Sequence, residues 1–135
     1  MAEGKVLTGA GLRGQVAGKT ALSTVGKSGA GLTYRGYDVQ DLAENCQFEE
    51  VAYLIFFGEL PTAVQLTAYK AKLKSLRQLP QALKEVLERI PADSHPMDVM
   101  RTGVSMLGNL ETEQSFAEQQ DVADRILATL PAIIC

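Results

Sequence analysis

The spacing of apolar residues changes character near residue 37. Before it, short β-prone pieces, Ala21–Val25 and Leu32–Tyr34, stand between glycines, serines and threonines. This punctuation predicts an extended arm over residues 1–36 with one or two small hairpins, and a turn at Lys27–Gly31. After it the period is helical. Asp38 caps a short helix, Val39–Glu44. Phe48, Val51, Ala52, Leu54 and Ile55 share one face of a helix that runs to Phe57 and stops at Gly58, a residue that readily takes the left-handed cap conformation. Pro61 opens the next helix in its first turn, capped by Leu60 or a neighbour. Leu66, Tyr69, Leu73 and Leu76 form its inward stripe, and Lys70, Lys72, Lys74 and Arg77 give it a basic outer surface.

Pro80 ends that helix and starts another over Gln81–Ile90. Its face is Leu83, Val86, Leu87 and Ile90, and Lys84 and Glu88 are spaced to pair. Ser94 caps a helix that begins at His95 or Pro96 and reaches Leu107. Met97, Val99, Met100, Val104, Met106 and Leu107 make it apolar nearly all round, and such a helix is buried in a core or against a partner. A last helix begins near Ser115, supported by Phe116, Val122, Ile126 and Leu130. The final residues, Leu130–Cys135, are apolar with no polar end. Termini usually lie in polar surface sequence, so the natural polypeptide is expected to continue.

Composition narrows the function classes. The 135 residues carry a net charge of −3, which offers no basic footprint for nucleic acid and no attraction to an anionic membrane. No stretch has the apolar length of a membrane span, and the start Met1–Lys5 lacks the features of a signal peptide. The cytoplasm is the expected compartment. Cys46 and Cys135 do not form a disulfide framework and have no metal-ligand spacing; Cys46 reads as a small buried thiol. Neither a metal nor a cofactor is expected.

Several glycine patterns imitate phosphate loops. Gly9–Gly14 has the letters of a dinucleotide fingerprint but lacks the preceding strand. Gly18-Lys19-Thr20 and Gly26-Lys27-Ser28 end like a phosphate loop, but the earlier glycine each needs would fall at Arg13 and Ala21. Nucleotide binding is not expected. The single histidine, His95, reads as a structural residue whose ring bonds nearby backbone at a helix start. One imidazole without a second base or a paired carboxylate makes no catalytic constellation. Glu49 and Glu50 sit about 100° apart on a helix and do not converge.

One long segment, Ser94–Gly108 (SHPMDVMRTGVSMLG), strongly resembles the corresponding segment of the citrate synthase family. Gly11–Ser23 is similar to that family's N-terminal arm, Leu32–Asp38 to its Tyr-Arg-Gly-Tyr turn, and Phe48–Leu54 with Gly58–Pro61 to its next helix and stop. The matches run in order over residues 11–110 and correspond to roughly the first third of a member. The wording of Thr24–Gly29 and Met97–Thr102 is closest to the bacterial branch that makes 2-methylcitrate.

The resemblance implies an all-α, multi-helical homodimer with residues 37–135 as a truncated part of its large domain. It implies condensation of an acyl-CoA with oxaloacetate, propionyl-CoA in the nearest branch and acetyl-CoA in the alternative. The family's aspartate, two histidines and arginines lie beyond the matched region, so no catalytic residue is assigned to this chain, and the chain alone is expected to be inactive. The helix over His95–Leu107 corresponds to one packed at the family's dimer interface. Met97, Met100, Gly103, Val104 and Leu107 are its candidate contacts. Lys74 is a candidate for contact with substrate or CoA phosphates. A different reading is a non-catalytic helical dimerisation module.

Overall fold

The computed structural model describes residues 18–26 and 31–135. The Gly9–Gly14 motif and most of the Lys27–Gly31 turn lie outside the described residues. The chain is mainly helical with one small sheet, the class expected. It divides into two units, one up to Cys46 and one from Gln47.

The first unit holds strands β1 (Ser23–Val25), β2 (Leu32–Tyr34) and β3 (Tyr37–Asp38), followed by helix α1 (Val39–Asn45). Both strand pairs are antiparallel, with Thr24 opposite Thr33 and Tyr34 opposite Tyr37. The hydroxyls of Thr24 and Thr33 meet across the strands at 2.5 Å. Arg35 and Gly36 link β2 to β3 with φ of 51° and 94°. Two consecutive positive φ values match the twist of a tight hairpin, which is why the second of them is glycine. Asp38 Oδ1 accepts the Gln40 amide at 2.8 Å and caps α1 as expected. The first compact unit ends at Cys46 and includes β3 and α1.

The second unit is built from α2 (Phe48–Phe57), α3 (Ala63–Ser75), α4 (Gln81–Leu87), α5 (Pro96–Leu110), a 3-10 turn (Phe116–Glu118) and α6 (Gln119–Ile134). Gly58 ends α2 at φ 92°. Several boundaries differ from expectation; α5, for one, runs to Leu110 instead of ending at Leu107. The cap of α3 is Thr62: its hydroxyl accepts the Gln65 amide at 3.3 Å, and the Gln65 side chain accepts the Thr62 amide at 2.8 Å. This reciprocal pair satisfies two amide donors, which Leu60 has no side-chain oxygen to do. The cap of α5 is His95 instead of Ser94. Helix α4 stops at Leu87, three residues early, and Lys84 and Glu88 form no ion pair.

Helix α6 is the spine of this unit. On one side Ala128 joins Ala52, Tyr69 and Leu73 from α2 and α3. On the other Ile133 joins Leu83 and Leu107 from α4 and α5. Tyr53, Phe57 and Tyr69 extend the first cluster, with ring centroids 4.3 to 6.0 Å apart. Full burial of Leu54 and Leu83 contributes about 1.5–3 kcal/mol each. The buried face of α6 is Asp124, Ala128, Thr129 and Ile133. The expected stripe of Val122, Ile126 and Leu130 is only half-buried, and Phe116 is 86% exposed.

Candidate functional site

The residues singled out from sequence fall on two helices. Helix α5 starts where the His95 ring turns back: Nδ1 accepts the Met97 amide at 3.1 Å. Pro96 follows in the first turn, where its missing N–H costs nothing. Asp98 favours the positive end of the helix and pairs with Arg101 at 2.9 Å on the surface. The sole histidine is therefore occupied in holding a helix end, as its sequence context suggested.

Of the five candidate interface residues, Gly103 and Leu107 form the buried line of α5. One turn apart, they pack toward α6 and α4. Gly103 lies so close to Ile133 that an added Cβ would stand 2.5 Å from its Cγ2. Val104 is half-buried against the same cluster. Met100 is half-buried, and Met97 is 62% exposed. The helix thus spends its small residue and one leucine inside the unit; in its first turns Met97 stands exposed beside the Asp98–Arg101 surface pair, and Val99 and Met100 are half-buried. Beyond its far end, a cavity of about 500 Å³ opens between α5, the 3-10 turn and α6, with Val104, Leu107, Val122 and Ile126 among its apolar walls and Glu111, Asp121 and Arg125 at its rim.

Lys74 lies exposed on α3 with no side-chain partner among the described residues. Its neighbour Lys72 behaves differently. The expected uniformly basic outer surface is broken there, because Lys72 reaches α6 and binds Asp121 at 2.8 Å and Asp124 at 2.6 Å. Asp124 is fully buried. Its other oxygen accepts the Tyr69 hydroxyl at 2.9 Å and the Gln120 amide at 3.3 Å. Burial raises the Tyr69 hydroxyl well above its ordinary range, and the hydrogen bond to Asp124 and that group's charge raise it further. The hydrogen bonds to Asp121 and then Asp124 hold the Lys72 ammonium protonated to higher pH than usual.

A second polar knot was equally hidden in the sequence. Arg125 grips Glu111 through two nitrogens at 2.8 and 2.6 Å. Its remaining nitrogen donates to the carbonyls of Leu76 and Gln78. The Arg125 hydrogen bonds lower the Glu111 carboxyl, and those with Glu111 raise Arg125. Neither knot is signalled by periodicity, which assigns charged residues to the outer face. The one visible hint is that Asp124 and Ala128 are one turn apart on a helix whose next turn is apolar.

Among the described residues, no group of three His, Cys, Asp or Glu side chains has the arrangement of a metal site. Cys46 is half-buried and Cys135 exposed, both free thiols. No helix among the described residues is long and apolar enough to cross a membrane.

Comparison with known proteins places this architecture. Residues 11–135 match the family described as "Citrate synthase, C-terminal domain". The chain is 76% identical over 135 residues to the 2-methylcitrate synthase of Shewanella oneidensis, covering all of this chain and 36% of that protein. It is 44% identical over 127 residues to 2-methylcitrate synthase 2 of Corynebacterium glutamicum, covering 92% of this chain and 33% of that protein. It superposes with a TM-score of 0.82 and 28% identity on the citrate synthase of Thermoplasma acidophilum, a structure solved as a ternary complex with carboxymethyl coenzyme A and oxaloacetate; the match covers 91% of this chain and 33% of that one. The chain thus spans about a third of the length of the curated relatives it matches. With the family model matched over residues 11–135, the chain belongs to the citrate synthase family.

Proposed function

We propose that the polypeptide containing this sequence condenses propionyl-CoA with oxaloacetate to give 2-methylcitrate and free CoA. The observation that carries this reading is the 76% identity across all 135 residues to a 2-methylcitrate synthase. The test compares propionyl-CoA with acetyl-CoA turnover by the full-length enzyme. A clear preference for propionyl-CoA supports the assignment. A clear preference for acetyl-CoA replaces it with the second reading, a citrate synthase, which the fold match to the Thermoplasma acidophilum enzyme supports. The two substrates differ by one methylene, worth about 1–3 kcal/mol in an apolar pocket, so kinetics will separate them.

The 135-residue chain does not catalyse this reaction alone. Enolising an acyl-CoA while polarising a ketone needs several converging acid–base groups. The chain has one histidine, and that ring is engaged with the Met97 amide. Product formation by the purified chain would overturn this part of the reading.

Helix α5 serves in the full enzyme as a contact between two copies. The support is its exposed Met97, with Met100 half-buried beside it, on a helix anchored from behind by Gly103, Val104 and Leu107. Met100→Glu in the full-length enzyme will shift it toward monomer by light scattering, and unchanged mass would remove α5 from the interface. Lys74, exposed and without a side-chain partner among the described residues, is a substrate- or CoA-contacting residue. Its conversion to Ala raises KM for the acyl-CoA with little change in kcat.

A further inference from the structure

Around the Tyr69 ring, helix α6 meets α3 through Ala128, Leu127, Leu73 and Leu76, a set of small and branched apolar groups. Apolar contact is non-directional, so such a face accepts more than one axial setting. The polar group in its midst is different. Asp124 is fully buried and satisfied from α3 by two residues three apart, Tyr69 at one oxygen and Lys72 at the other. Sliding α6 by one turn, about 5.4 Å, would place Gln120 or Ala128 opposite that pair. Asp124 would then be moved away from both partners, and an unpaired buried carboxylate is strongly unfavourable.

We propose that the Tyr69–Asp124–Lys72 cluster is a register lock: it selects one setting of α6 against α3 and contributes this specificity more than it contributes stability. The groups facing Asp124 are Tyr69 and Lys72 from α3 and Gln120 from its own helix, while the nearby Asp121 shares only the Lys72 ammonium. Both ends of the lock sit on helices that carry the two apolar clusters, so a slip at Asp124 would also move Ala128 and Ile133.

The test uses the full chain. In the triple variant Tyr69→Phe, Lys72→Met, Asp124→Leu, all polar atoms leave together. The expected result is an unchanged or higher Tm with doubled or broadened NMR signals for the Ala128 and Ile133 methyl groups, the signature of more than one setting. A single sharp set of signals overturns the proposal whatever the Tm. Asp124→Asn provides a second reading if the triple variant does not fold. Its amide oxygen can still accept from Tyr69, but the ion pair and hydrogen bond with Lys72 are lost and an NH2 donor faces that ammonium instead. Amide exchange in α6 should rise about tenfold or more while α2 and α4 keep their protection. An equal rise in every helix overturns the proposal, because a lock that only adds stability would loosen the whole unit.

Discussion

Gly103 and Ile133 touch at a distance that leaves no room for a side chain between their helices: a Cβ on Gly103 would approach Ile133 Cγ2 to 2.5 Å. Alanine ordinarily favours a helix interior over glycine by about 1 kcal/mol. Here the overlap outweighs that gain, because Cγ2 is attached directly to the Ile133 Cβ and has little freedom to move. Gly103→Ala should destabilise the fold by roughly 1–3 kcal/mol in urea unfolding. In an Ile133→Ala background the same change should cost nothing or turn favourable. An equal cost in both backgrounds would show that the two residues do not constrain each other.

Alkali should weaken the second unit through Tyr69. Its hydroxyl titrates above the model-peptide value of 10.0 when folded. A group raised in this way favours folding below pH ~10, and that contribution is lost as the pH climbs past it. Lys72 is also raised, and its contribution disappears in the same direction. Stability measured from pH 8 to 11.5 should therefore fall steeply above 10. Tyr69→Phe should lower stability at pH 7 by about 1 kcal/mol, the scale of one lost hydrogen bond, and flatten the alkaline fall. A variant with the same steep fall would assign it to other groups.

Arg125 should not tolerate lysine. Its guanidinium binds Glu111 through two nitrogens and serves the Gln78 carbonyl at 2.9 Å as well. A lysine ammonium matches neither the fork nor the spread of partners. Arg125→Lys should cost roughly 1–3 kcal/mol, through loss of the two-nitrogen grip on Glu111 and of the partner of the partly buried Leu76 carbonyl. Glu111→Gln should cost less, since that carboxylate is 39% exposed and water screens the pair. The Glu111 carboxyl is lowered from 4.5, so its contribution is present above that pH and lost as the pH falls below it. A lysine variant as stable as the parent would refute the claim.

His95→Asn should preserve α5, because asparagine is a good helix cap, whereas His95→Ala should cost about 1 kcal/mol. In the full-length enzyme the asparagine variant should keep kcat near the parent value. A large loss of kcat with unchanged stability would mean that the ring does chemistry beyond its bond to the Met97 amide.

The helices were legible in sequence where an apolar period ran between strong punctuation. Gly58 and Pro80 mark stops, and Asp38 a start, through side-chain or backbone properties that act locally. The turn at Arg35-Gly36 is implied only by the resemblance of Leu32–Asp38 to the family's Tyr-Arg-Gly-Tyr turn, whereas local punctuation points to a turn at Lys27–Gly31. The caps at Thr62 and His95 were missed by one or two residues, since proline at Pro61 and serine at Ser94 carry the commoner signal. The interior of α6 was not legible. Its stripe was assigned to Val122, Ile126 and Leu130, and the helix turns instead on Asp124, Ala128 and Ile133. A carboxylate is buried there because Tyr69 and Lys72, some fifty residues earlier, come to meet it. That depends on the assembled fold and on no local pattern. Ile133 lies in the apolar run that closes the sequence, and it is 4% exposed because the missing side chain of Gly103 leaves room for it.

The grip of Arg125 also has a consequence for how the chain is routed. The strand of backbone that leaves at Gln78 and comes home at Glu111 has both its feet on one guanidinium. Everything between, α4 and α5 included, is an excursion on a pinned base. The segment from Gln78 to Glu111 is thus closed at its base by a single side chain contributed from α6.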